Sequence, residues 1–187
     1  DQGCLFNSPF GEIADMLCPD ADQDENTFFA ALSGYKATFL IGEYNPKHLK
    51  SRALAEYVRQ GGTLFVSADQ VKDGYISSEF AGVTFTGEKR PCYETVINSE
   101  GRTVFAIYPV DGKYLLYTGT PTTAKPYLWD GRRKPAVWVN DFGKGKVYVV
   151  GCRRMMPDEY ENTDNYFERL KPMASGYRTF PFIKYLL

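Results

Sequence analysis

The chain has 187 residues, enough for one well-filled core and too few to make two ordinary domains the expectation. Its hydrophobic share of 43% and charged share of 24% belong to a globular protein and exclude a disordered one. A net charge of −1 gives no field for nucleic acid or an anionic surface. The longest apolar runs, such as Val147-Tyr148-Val149-Val150, are strand-sized and exclude a membrane-spanning helix.

In chain order, Ile13 to Cys18 reads as a short strand after a turn marked by glycine and proline. Asp24 is placed to cap a helix whose apolar face includes Phe28, Phe29 and Leu32, with Gly34 as its stop. Ala37 to Gly42 is a continuous apolar run of strand length, as expected for a strand covered on both faces. Asn45-Pro46 suits the start of a second helix, on which Leu49, Ala53, Leu54, Tyr57 and Val58 share one face. Gly61-Gly62 ends that helix, and Thr63 to Ser67 is the next strand. A strand–helix–strand crossover of this length implies parallel strands and an α/β fold.

Beyond residue 80 the pattern changes to short β-rich runs: Val83 to Thr86, Tyr93 to Asn98, Thr103 to Ile107 and Tyr114 to Thr118. Turns at Gly87, Glu100-Gly101 and Asp111-Gly112 separate them, so residues 80–120 are expected to form an antiparallel annex. Pro135 to Asn140 and Lys146 to Val150 form a further antiparallel pair, turned by Phe142-Gly143-Lys144-Gly145. A helix near Asn165 to Leu170 and the apolar end Phe180 to Leu187 are expected to close the core of a single domain spanning 1–187.

The chemistry on offer is sparse. Phe142 to Val150 carries glycines and lysines, but the G-x-x-x-x-G-K-[ST] pattern is absent and a strand follows, so a hairpin turn is the reading. The turn after Ser67 stands where many α/β enzymes hold a nucleophile. A strained elbow of that kind needs small neighbours, and Val66-Ser67-Ala68-Asp69-Gln70 has no glycine beside the serine. His48, the only imidazole, precedes the turn, near the start of the preceding helix, where it is expected to face solvent. Ser67 and Ala68 are therefore expected to be chemically inert. Glu43 follows one core strand and Asp69 the next, and Arg153 follows the strand that runs to Gly151. All three are expected at the carboxyl edge of the sheet, where open α/β sheets bind ligands. The four cysteines, Cys4, Cys18, Cys92 and Cys152, lack metal-site spacing and read as buried thiols, or as holding one disulfide in an exported protein. No metal or other cofactor is implied. Arg132-Arg133-Lys134 and Arg153-Arg154 read as solvated loops. Trp129 is a conceivable exposed platform for a sugar, with packing as the plainer role.

Three stretches carry a resemblance: "YKATFLIGEYN", "LAEYVRQGGTLFVSAD" and "PAVWVNDFGKGKVYVVG". With "SPFGEIADML" near the start, they follow the order of elements from about residue 8 to 151. The chain resembles the class I glutamine amidotransferase-like superfamily, and within it the β-galactosidase trimerisation-type domains attached to carbohydrate-processing proteins. The resemblance implies a flavodoxin-like, mostly parallel sheet flanked by helices. Active members carry a cysteine at the elbow and a histidine and glutamate later in the chain. This sequence has Ala68 near the elbow and its histidine before it, so no catalytic residue carries over. What is implied is a non-catalytic module for assembly or for shaping a substrate cleft. Its partners would be a neighbouring glycoside hydrolase domain or its own copies, with carbohydrate as a ligand and an exported setting. The absence of an initiator Met suggests a piece of a larger chain. The alternative is a divergent hydrolase using Glu43 and Asp69, or Cys92 brought in from the annex.

Overall fold

The computed structural model describes residues 17, 19–40, 49–92, 95–106 and 114–152. Helix α1 (Glu25–Leu32) starts where the sequence places its cap. Asp24 is extended, and its carboxylate accepts the Asn26 and Thr27 N–H groups at 2.9 and 3.0 Å. The helix stops before Gly34, at Ser33, whose hydroxyl donates to the Phe29 carbonyl at 2.7 Å. Helix α2 (Ser51–Arg59) buries Ala53, Leu54, Tyr57 and Val58 along one stripe. Lys50 before it offers no side-chain cap, and Glu25 of α1 fills that place by accepting the Ala53 N–H at 2.8 Å. Asn45-Pro46 lies outside the described residues.

Strands β1 (Ala37–Phe39) and β2 (Thr63–Ser67) pair in parallel, as the crossover implies, with Ala37 opposite Thr63 and Phe39 opposite Phe65. Two short helices follow, α3 (Ala68–Lys72) and α4 (Ser78–Ala81). Next along the chain are β3 (Val83–Cys92), β4 (Thr95–Ile97), β5 (Thr103–Ala106) and β6 (Tyr114–Pro121). The described chain closes with β7 (Lys125–Asp130), β8 (Pro135–Phe142) and β9 (Gly145–Val150). β9 returns to lie parallel to β2 on its second side, Thr63 opposite Lys146 and Ser67 opposite Val150. From β9 the sheet runs antiparallel through β8, β7, β4 and β5, giving a seven-stranded mixed sheet in an α/β fold. β3 and β6 form a separate antiparallel ribbon.

The antiparallel annex expected over residues 80–120 therefore divides between two sheets. The divider is β7, a strand absent from the expectation, which hydrogen-bonds β8 on one side and β4 on the other. Trp129 sits half-buried in β7 opposite Ile97, so it is a sheet residue and not a freestanding platform. Of the strand expected over 13–18 only Leu17 is described, exposed and in no strand, and Asp111-Gly112, the helix 165–170 and the apolar end 180–187 lie outside the described residues.

Alternation along the central strands sends side chains to two faces. Leu64 and Val66 of β2 and Val147 and Val149 of β9 meet Phe28, Leu32, Leu54, Tyr57 and Val58 from the helices. Each such side chain, taken from water, contributes about 1.5–3 kcal/mol. Phe65, Val137 and Val150 point to the other face with Leu116 and Leu128. There Phe65 stacks between Phe39 and Tyr148, with ring centroids 4.4 and 5.0 Å away.

Two contacts help to fix the antiparallel part to this core. The β8–β9 turn docks on the C-terminal end of α2: Lys144 N–H donates to the Arg59 carbonyl at 3.0 Å, and Lys146 N–H to that of Gly62 at 3.2 Å. These bonds satisfy carbonyls near a helix end that would otherwise lack partners. Gly145 is required for the approach, since a Cβ there would lie 2.2 Å from both the Gly62 and Val58 carbonyl oxygens. The second contact is a buried ion pair between Arg90 of β3 and Asp130 of β7, with 15% and 3% of the side chains exposed. Arg90 also donates to the Pro135 carbonyl at 2.8 Å, and Asp130 accepts the Arg132 and Lys134 N–H groups at 3.0 and 2.9 Å. The ribbon is thereby clipped to the β7–β8 hairpin, and Arg132, Arg133 and Lys134 stay exposed in its turn.

Candidate functional site

The carboxyl ends of β1, β2 and β9 converge on one edge of the sheet, the place where α/β folds of this kind bind ligands. At that edge Leu40 continues the pairing of β1, its N–H donating to the Phe65 carbonyl at 2.9 Å. The Ala68 N–H reaches the Cys152 carbonyl at 3.3 Å, and the Tyr117 N–H the Gly151 carbonyl at 2.6 Å. The ribbon strand β6 thus meets the end of β9 beside the turn that follows β2.

The turn itself is polar and buried. Ser67 is the N-cap of α3 and forms a capping box with Gln70. The Gln70 side-chain oxygen accepts the Ser67 N–H at 2.9 Å, and its amide group donates to the Leu40 carbonyl at 2.9 Å. The Ser67 hydroxyl donates to the Asp69 carboxylate at 2.5 Å. Relative exposure is 0% for Ser67 and Ala68, 6% for Asp69 and 2% for Gln70. Buried polar groups of this kind need partners, and here they serve one another while tying β1, β2 and α3 together.

Of the three residues expected at this edge, Asp69 is there. Glu43 and Arg153 lie outside the described residues, as does His48. Cys92 ends β3 opposite Tyr114, and its side chain is outside the described residues too. Cys152 is buried beside Val150 and Phe65. Gln70 is the residue of this edge that sequence reasoning passed over. Its signal was present, since Ser67-Ala68-Asp69-Gln70 has the spacing of a capping box.

A depression of about 370 Å3 lies elsewhere, between the start of α4 and the β6–β7 turn, lined by Ser78, Glu79, Thr122 and Thr123. Ser67, Ala68, Asp69 and Gln70 are not among its lining residues. Buried Asn140 accepts the Thr123 hydroxyl at 2.9 Å and donates to the Phe80 carbonyl at 3.0 Å, which ties the β6–β7 turn to α4 through β8. Among the described residues no group of three or more His, Cys, Asp and Glu is placed to hold a metal ion. No described helix is long and apolar enough to cross a membrane.

No protein-family model matches the chain, and no curated protein matches it. Among solved structures, it is similar to the exo-β-1,4-mannosidase Op5Man5 from Opitutaceae bacterium strain TAV5, with TM-score 0.52 and 18% identity. That match covers 82% of this chain and 25% of the mannosidase, so the chain spans about a quarter of that protein's length. It is similar also to the cytoplasmic protein STM1381 from Salmonella typhimurium LT2, with TM-score 0.51 and 12% identity, over 83% of this chain and 74% of that one. A β-galactosidase from Rahnella sp. R3 matches with TM-score 0.46 and 19% identity, over 83% of this chain and 24% of its own. The likeness to the mannosidase and the Salmonella protein speaks for a shared fold, and a fold alone does not fix a function.

Proposed function

We propose that the chain is a non-catalytic module of a carbohydrate-processing protein, serving assembly or shaping a substrate cleft. The observation that carries this reading is the turn after β2. Ala68 stands near the place where the resemblance implies an elbow nucleophile, and the polar side chains around it are engaged in capping α3 and holding Leu40. A nucleophile must be reachable by substrate and must have a base at hydrogen-bond distance. Ser67 has a carboxylate beside it and no exposed surface. Support for the carbohydrate setting is the fold shared with a domain-sized part of an exo-mannosidase.

Membership of the class I glutamine amidotransferase-like superfamily, close to its β-galactosidase trimerisation-type domains, belongs to this proposal. So does a flavodoxin-like description of the parallel strands β1, β2 and β9. A neighbouring glycoside hydrolase domain or further copies of the chain are the partners it calls for, in an exported protein. A second reading, a divergent hydrolase using Glu43 and Asp69, or Cys92, draws on the 2.5 Å contact that sets a hydroxyl on the Asp69 carboxylate. The module reading is tested by the parent reading frame and by mass in solution. A flanking glycosidase domain, and an assembly of the parent that is lost when this module is deleted, are expected. A parent with no carbohydrate-active neighbour and an unchanged oligomeric state on deletion would overturn it.

A further inference from the structure

We draw no further inference here: the strongest candidate, the half-buried aromatic patch of Phe39, Tyr127 and Tyr148 around buried Phe65, carries nothing because nothing among the described residues shows what covers it.

Discussion

Replacing Asp130 by asparagine tests how the β3–β6 ribbon is held to the sheet. Asparagine has nearly the same shape and keeps an oxygen for the Arg132 and Lys134 N–H groups, so the turn bonds at 3.0 and 2.9 Å can persist. What is lost is the charged oxygen facing Arg90: a side-chain NH2, itself a donor, takes the place of the acceptor for a cation with 15% of its side chain in solvent and the Pro135 carbonyl as a further partner. Breaking a buried pair by removing one partner destabilises by about 3–5 kcal/mol. The residual exposure of Arg90 places D130N at the low end, about 3 kcal/mol, since the cation regains some hydration. With a urea slope of about 1–3 kcal/mol/M, the unfolding midpoint should fall by roughly 1–3 M. The double variant R90M/D130N should recover part of the loss, because it leaves no buried charge unpaired. Amide exchange should speed first in β3 and β6, the strands the clip retains. A D130N midpoint corresponding to less than about 0.5 kcal/mol of change, a size ordinary for surface sites, would refute the reasoning.

Gly145→Ala should destabilise by about 1–3 kcal/mol, because its Cβ meets two backbone oxygens that belong to the end of α2 and cannot swing aside. Thermal unfolding checks this, and a stability equal to the parent's would mean that the hairpin does not sit on the helix. Asp24 is held below its ordinary pKa of 3.8, first by the Thr27 hydroxyl and then by the Thr27 N–H. Its contribution is therefore full above the unfolded value and is lost as pH falls through the lower folded one. Asp24→Asn should flatten the acid limb of stability measured by urea unfolding between about pH 5 and 2; an unaltered limb would count against the cap. A fluorophosphonate probe should leave Ser67 unlabelled in the folded protein, and mass-spectrometric detection of an adduct there would contradict its burial.

Local signals on single segments were the legible part of the fold. The Asp24 cap, the α2 stripe, the parallel pairing of β1 with β2 and the β8–β9 hairpin each rest on residues within a short window, and the structure has all of them. Two of the stretches that carry the family resemblance, the end of α2 and the β8–β9 turn, touch each other through Arg59, Gly62, Lys144 and Gly145. That contact explains Gly143 and Gly145, whereas at Gly62 a Cβ would meet the Tyr57 ring at 2.3 Å. β7 was hidden because Pro126 and irregular pairing on both sides of Leu128 break the period-two pattern by which strands are recognised. Without β7, nothing in the sequence showed that β4 and β5 would leave the ribbon and extend the main sheet. Arg90 with Asp130 was equally hidden, as the partners lie 40 residues apart and neither segment signals the other. At the candidate site, topology placed Asp69 at the carboxyl edge, but its bond to Ser67 depends on the bend of the turn.

Turnover by the purified chain tests the central claim most directly. The assay follows hydrolysis of aryl glycosides, aryl esters and glutamine by the parent sequence beside Glu43→Gln, Asp69→Asn and Cys92→Ser. A non-catalytic module predicts rates equal to buffer for all four proteins on every substrate. Robust turnover by the parent sequence that is abolished by any one of these substitutions, with the fold retained by circular dichroism, would contradict the account.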